Sequence, residues 1–168
     1  MIKSSQANNS PAKATLYYVQ ITTHNGSRLF SLPVNLPEFD SLQSNLSSAA
    51  LLAQIAADEL LLAATHRGIT VKQWAVLPDS IHAFVLLQTH GQHLYEGAGK
   101  PRLLTAFIAG FKAATAKRIN LLRNQPGAPV WQRSYQALLV EEDRVLAQWQ
   151  ATILTNDGIV VSSERMPQ

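Results

Sequence analysis

Two apolar runs, Ile69 to Leu77 and Ile81 to Gln88, are separated only by Pro78-Asp79-Ser80, and that short corner constrains the fold more than any other feature. A connection this brief can only bring the chain back beside itself, so the two runs predict an antiparallel hairpin. Ser80 and His82 lie two residues apart in the second run. On a strand they project from one face, where both could meet a single metal ion. A lone histidine at a strand end is more simply explained as a hydrogen-bonded structural residue, and the spacing alone leaves both explanations open.

The flanking segments extend this hairpin into an α+β pattern. Leu16 to Thr23 is rich in aromatic and β-branched residues and predicts a further strand, with Asn25-Gly26 as the turn after it. Beyond the proline-bearing stretch Leu32 to Pro37, the Ala/Leu-rich segment Ser41 to Arg67 predicts a helix stopped by Gly68, with Leu51, Ile55 and Leu62 facing a partner. A polar loop from Thr89 to Gly99 precedes a second helix, Pro101 to Arg123, whose apolar face carries Leu104, Phe107, Ile108, Phe111 and Ala114. Gln125 to Pro129 breaks the chain, Val130 to Val140 can extend, and Glu141-Glu142-Asp143 opens a third helix to about Leu154, where carboxylates suit the helix dipole. The predicted order β-α-β-β-α-(β)-α implies helices on an antiparallel sheet in a ferredoxin-like arrangement. We expect a disordered leader over 1–14, one domain over 15–157 and a tail over 158–168.

Composition narrows the chemistry. The 168 residues contain no cysteine, which removes disulfides, thiolate zinc sites and cysteine nucleophiles. No signal peptide is evident at the N-terminus, and no stretch is expected to approach the roughly 18 uncharged apolar residues of a membrane span, so no membrane partner and a cytoplasmic location are expected. The formal charge is only +3, but seven of the 14 Lys and Arg (Lys100, Arg102, Lys112, Lys117, Arg118, Arg123 and Arg133) fall between Gly97 and Val140 with no acidic residue among them. Such asymmetry suits a face that meets a polyanion, and it also suits a solvated helix face.

Three segments together resemble the single-tyrosine transposases with a His-hydrophobic-His motif, especially the REP-associated branch. They are Tyr18-Val19-Gln20-Ile21-Thr22-Thr23-His24-Asn25 with Leu29-Phe30; Trp74-Ala75-Val76-Leu77-Pro78 through His82; and Ala106-Phe107-Ile108-Ala109-Gly110-Phe111-Lys112 through Ile119-Asn120 to Val130-Trp131-Gln132-Arg133-Ser134-Tyr135. The likeness spans about Leu16 to Asn156. It implies DNA as partner, single-stranded or hairpin, and a divalent cation, Mg²⁺ or Mn²⁺, held by two histidines and a polar residue of the last helix. In that family a tyrosine attacks the phosphorus while the cation offsets charge on the phosphate oxygens.

Carried across residue by residue, the pattern is incomplete. The Pro-Asn-His-hydrophobic-His motif becomes Pro78-Asp79-Ser80-Ile81-His82, so Ser80 stands at the first histidine position. The Tyr-Ile-x-x-Asn of the last helix becomes Thr152-Ile153-Leu154-Thr155-Asn156, which keeps the ligand position Asn156 and places Thr152 at the nucleophile. Ala137-Leu138 stand where a histidine often follows the Trp-Gln block. Threonine is far less acidic than phenol, whose pKa is about 10, and serine is a poor substitute for imidazole on a transition metal. Asp79 is a further oxygen donor, expected on the opposite face unless the Pro78 corner turns it. Tyr95, in the loop, is the one flexible alternative tyrosine.

The resemblance therefore implies a DNA-binding protein without strand cleavage. Lys112, Lys117, Arg118, Arg123 and Arg133 are the expected phosphate contacts, with Trp131 or Tyr135 available to stack on a base or, for Trp131, to anchor the core. Two alternatives stay open: a metal-dependent nickase using His82, Asn156 and Asp79 with Thr152 or Tyr95, and a homodimeric protein-association domain built on joined sheet edges.

Overall fold

The computed structural model describes residues 13–30, 39–89, 95–96 and 100–140 and, beyond them, positions 147, 149 and 151. The elements are β1 (Lys13–Thr22), α1 (Phe39–His66), β2 (Thr70–Leu77), β3 (Ser80–Thr89), the short pair β4 (Tyr95–Glu96) and β5 (Lys100–Pro101), α2 (Arg102–Leu122) and β6 (Gln136–Leu139). The four-stranded sheet runs β2-β3-β1-β6, antiparallel throughout. With α1 linking β1 to β2 and α2 following β3, this is the ferredoxin-like arrangement that the element order implies. The predicted hairpin is present, with Leu77 facing Ser80 across the Pro78-Asp79 corner. Strand β1 starts at Lys13; residues 1–12 and 152–168, the bulk of the expected leader and tail, lie outside the described residues.

Alternation along β1 and β3 divides the sheet into two faces. Val19 and Ile21 of β1, with Ile81, Ala83, Val85 and Leu87 of β3, join one large core with Leu52, Ile55, Ala56 and Leu60 of α1 and Leu104, Phe107, Ile108, Phe111 and Ile119 of α2. Both helices thus lie on this face. Tyr18, Phe84 and Ala75 belong to the other face and pack with Trp149 in a second, smaller cluster.

The packing face of α1 differs from the expected one. Ile55 is buried, but Leu51 and Leu62 are 47% and 48% exposed, while Leu52 and Leu60 point inward. Apolar residues surround almost the whole circumference of this helix, so spacing cannot choose its inner face. The alanines do so, because Ala53, Ala56, Ala57 and Ala64 are buried and let the backbone approach closely. Within α1, Ser48–His66 is long and apolar enough to cross a membrane, with mean hydropathy 1.3. This departs from the expectation that no stretch comes near a span. Half of that segment is buried inside the protein, as befits a core helix, and it contains Asp58 and Glu59.

Both long helices end in the same way. Gly68 (φ +64°) receives the turn after α1, where its N–H donates to the Thr65 carbonyl and that of Ile69 donates to Ala64. Asn124 (φ 52°) does the same after α2, with Asn124 donating to Leu121 and Gln125 to Asn120. The paired bonds satisfy carbonyls that a helix C-terminus leaves open, at a position that favours Gly and tolerates Asn.

Candidate functional site

The strand register brings four polar side chains into one line. Tyr18 faces Phe84 directly and His82 diagonally across the β1–β3 pair, within reach of a tyrosine side chain. Its hydroxyl hydrogen-bonds His82 Nδ1 at short range. On the other side of the ring, His82 Nε2 lies 2.9 Å from Ser80 Oγ, and that hydroxyl donates to Asp79 Oδ1 at 3.3 Å. Since Ser80 donates to the carboxylate, it accepts from Nε2–H, which leaves Nδ1 to accept from Tyr18. One tautomer of a neutral imidazole satisfies the entire chain.

Burial keeps that ring neutral. His82 is 3% exposed, and its pKa falls to about 4 because burial penalises the cation, with the Asp79 charge opposing only in part. Burial also raises the Tyr18 phenol above its ordinary value. Trp149, itself 5% exposed, stands over the group with ring centroids 6.0 Å from both His82 and Tyr18 and 5.2 Å from Phe84. No sequence signal singles out Trp149, because the segment around it predicts a helix without showing which face it presents.

The donors do not fit a divalent cation as they stand. An imidazole ligand offers an unprotonated nitrogen to the ion, whereas here Nδ1 already accepts from Tyr18 and Nε2 carries the proton given to Ser80. Asp79 is turned by the Pro78 corner toward Ser80, and so does not point to the far face as straight alternation would have it. Among the described residues no group of three His, Cys, Asp or Glu side chains could hold a metal. Asn156 and Thr152 lie outside the described residues; Tyr95 pairs through its backbone with Pro101 in the β4–β5 ladder.

The expected phosphate contacts are scattered rather than gathered at His82. Lys112, Lys117 and Arg118 project from α2, which covers the opposite face of the sheet from the histidine. The Arg118 guanidinium donates to Glu59 of α1 at 2.8 Å, with Arg118 47% exposed and Glu59 10%. Lys112 donates to the carbonyls of Gln132, Arg133 and Ser134. Burial, with the nearby Lys100 charge, lowers its pKa. Lys117, Arg123 and Arg133 are exposed. Trp131 is 9% exposed, packs on Phe30 and Phe111, and its indole N–H donates to Thr115 Oγ1 at 2.8 Å. It is a core anchor with no free face for a base. Tyr135 is half-buried; its hydroxyl bonds Thr105, and the Lys100 ammonium lies 4.0 Å from its ring centroid.

No family model and no curated protein matches the sequence. Solved structures do. The crystal structure of a candidate transposase from Deinococcus radiodurans R1 aligns with TM-score 0.53 and 22% identity, over 92% of this chain and 96% of that one. The chain shares that fold. A REP-associated tyrosine transposase bound to a REP hairpin also aligns, less closely, with TM-score 0.43 and 12% identity over 80% of this chain and 61% of that one. At 22% identity the first of these likenesses shows the fold alone, and the chemistry of this chain rests on its own side chains.

Proposed function

We propose that this protein binds DNA, as single strands or imperfect hairpins, on a transposase scaffold from which strand cleavage has been lost, and that it works in the cytoplasm. The observation that carries the reading is the closed state of His82. An imidazole with both nitrogens engaged by Tyr18 and Ser80, beneath Trp149, must give up at least the Tyr18 hydrogen bond and shed an aromatic cover before it can ligate an ion. Each bond of this kind in a buried setting is worth about 1 kcal/mol, and leaving a partner unpaired costs about 1–3 kcal/mol. The resemblance adds two independent substitutions at the chemical centres, Ser80 for a histidine and Thr152 for the nucleophile. Binding asks for neither, and the exposed Lys117, Arg123 and Arg133 supply cations for it.

The test is incubation with a labelled single-stranded hairpin oligonucleotide and Mn²⁺, followed by native and denaturing gels side by side. The expected result is a shifted native band that vanishes under denaturation. A denaturation-resistant adduct, lost in His82→Ala, would establish a working nickase instead. The protein-association reading is favoured by one observation: β6 is a sheet edge whose Leu138 and Leu139 are 52% and 41% exposed. Such an edge is a template for a second strand. A dimer in solution with no affinity for any hairpin at low salt would select it.

A further inference from the structure

Lys112 reaches from the middle of α2 to three successive carbonyls, donating to Gln132 at 2.7 Å, Arg133 at 3.2 Å and Ser134 at 3.0 Å. Lys100 takes the next carbonyl, that of Tyr135. An ammonium has three hydrogens and no acceptor, so Lys112 is fully occupied and has nothing left to offer a phosphate. A planar guanidinium could not meet three acceptors converging on one point, which explains why a lysine suits this place.

The peptide plane carries the consequence outward. In a trans peptide the carbonyl of one residue and the N–H of the next point in opposite directions, and no peptide here is cis. With carbonyls 132, 133 and 134 drawn in to Lys112, the N–H groups of Arg133, Ser134 and Tyr135 are turned away from it. No backbone carbonyl in a loop or turn among the described residues accepts from these three donors. Gln132, Arg133 and Ser134 are exposed.

We propose that Lys112 is a positioning residue for phosphate recognition, holding 132–134 so that the outward N–H groups of Arg133 and Ser134, together with the Arg133 guanidinium, meet the oxygens of a phosphate group. The source of that phosphate, a DNA backbone, rests on the DNA-binding reading above. Lys112 then acts through Arg133 and makes no phosphate contact of its own, although its place in a basic segment suggests one.

The experiment follows the ¹⁵N amide shifts of residues 132–136 while a short single-stranded oligonucleotide, and separately inorganic phosphate, is added to the full chain. In parallel, oligonucleotide affinity is measured against salt for the unmodified protein, Lys112→Met, Arg133→Gln and the double variant. The Arg133 and Ser134 amides are expected to move with the oligonucleotide and more weakly with phosphate. Each single variant is expected to flatten the slope of log K against log salt by about 0.7, one single-strand phosphate contact. In the double variant no second decrement appears, because the two residues act as one unit. A further fall of about 0.7 in the double variant would make Lys112 a direct contact and overturn the proposal. Oligonucleotide binding with unmoved amides would overturn it while leaving the DNA reading intact. Where the affinity measurement shows no oligonucleotide binding at all, amides that respond to phosphate would uphold the site and overturn the DNA reading, and amides that respond to neither would overturn both. Should Lys112→Met fail to fold, the amide shifts of the unmodified protein and of Arg133→Gln decide the matter.

Discussion

The two faces of the central sheet are built on different physics. On the helix-covered face the contacts are almost wholly apolar, with Val19, Ile81, Val85, Leu60, Phe107 and Phe111 at or below 1% exposure. On the opposite face a short polar chain from Tyr18 through His82 and Ser80 to Asp79 is sealed by Phe84 and Trp149. The first face stores stability in volume and tolerates only matched shapes. The second depends on every donor finding an acceptor, so that one lost partner leaves another stranded. A scaffold can therefore persist on the strength of its first face while its second is refitted.

The largest effect is expected where volume counts. Phe107→Ala removes a fully buried ring from the junction of α2 and the sheet and should cost about 3–5 kcal/mol, read as a lowered denaturation midpoint at unchanged m-value. A loss under about 1 kcal/mol would mean that this face is not the close-packed body described here.

Next comes the pH response of the other face. His82 has its pKa depressed from 6.5 to about 4, so between those values the unfolded chain binds the proton and the folded one does not. Stability from this group is complete above pH 6.5 and is lost as pH falls toward 4, by about 3 kcal/mol in all. Denaturation measured at intervals from pH 7 to 4 should show that fall, and His82→Gln should flatten it. The charged group facing the ring is Asp79, and Tyr18, Phe84 and Trp149 enclose it. An unchanged slope in the variant would show that other groups govern acid sensitivity.

Tyr18→Phe probes the same chain more gently. It keeps the packing on Phe84 and Trp149 but strips His82 Nδ1 of its donor, at an expected cost of about 1–3 kcal/mol. The effect should shrink when His82 is already replaced, a coupling that a double-mutant cycle can read directly. Additive losses would mean the hydroxyl matters for some reason other than the histidine.

The two faces were also unequally legible in the sequence. Period-two alternation in β1 and β3 and the short Pro78 corner specify the hairpin and the buried rows, because a strand has only two faces to choose between. Helix α1 was harder: with apolar residues on nearly every side, the inward choice of Leu52 and Leu60 over Leu51 and Leu62 is made by the sheet it meets. The parity of Ser80 and His82 was readable, but their engagement with Tyr18 required the register between strands distant in sequence, which one chain read linearly does not supply. The basic segment is ambiguous for a similar reason. Seven cations in a row of sequence say nothing of which carbonyl or carboxylate each will find in space, and Lys112 and Arg118 find partners within the protein.

Arg118 provides the smallest and most pointed test of that last difference. Its guanidinium is about half exposed, so the pair with Glu59 is screened by water and should contribute no more than about 1 kcal/mol. Glu59→Gln should therefore leave the fold nearly as stable as before. It also releases Arg118 from its carboxylate and removes one negative charge from the helix layer, adding a cation to those that can meet a polyanion. If the helix-covered layer takes part in binding, the variant should hold single-stranded DNA more tightly than the parent at low salt, with a steeper salt slope by up to about 0.7. If the bound strand never approaches this layer, both quantities stay at the parent value, and the contact surface must be sought around Arg133 beyond the end of α2.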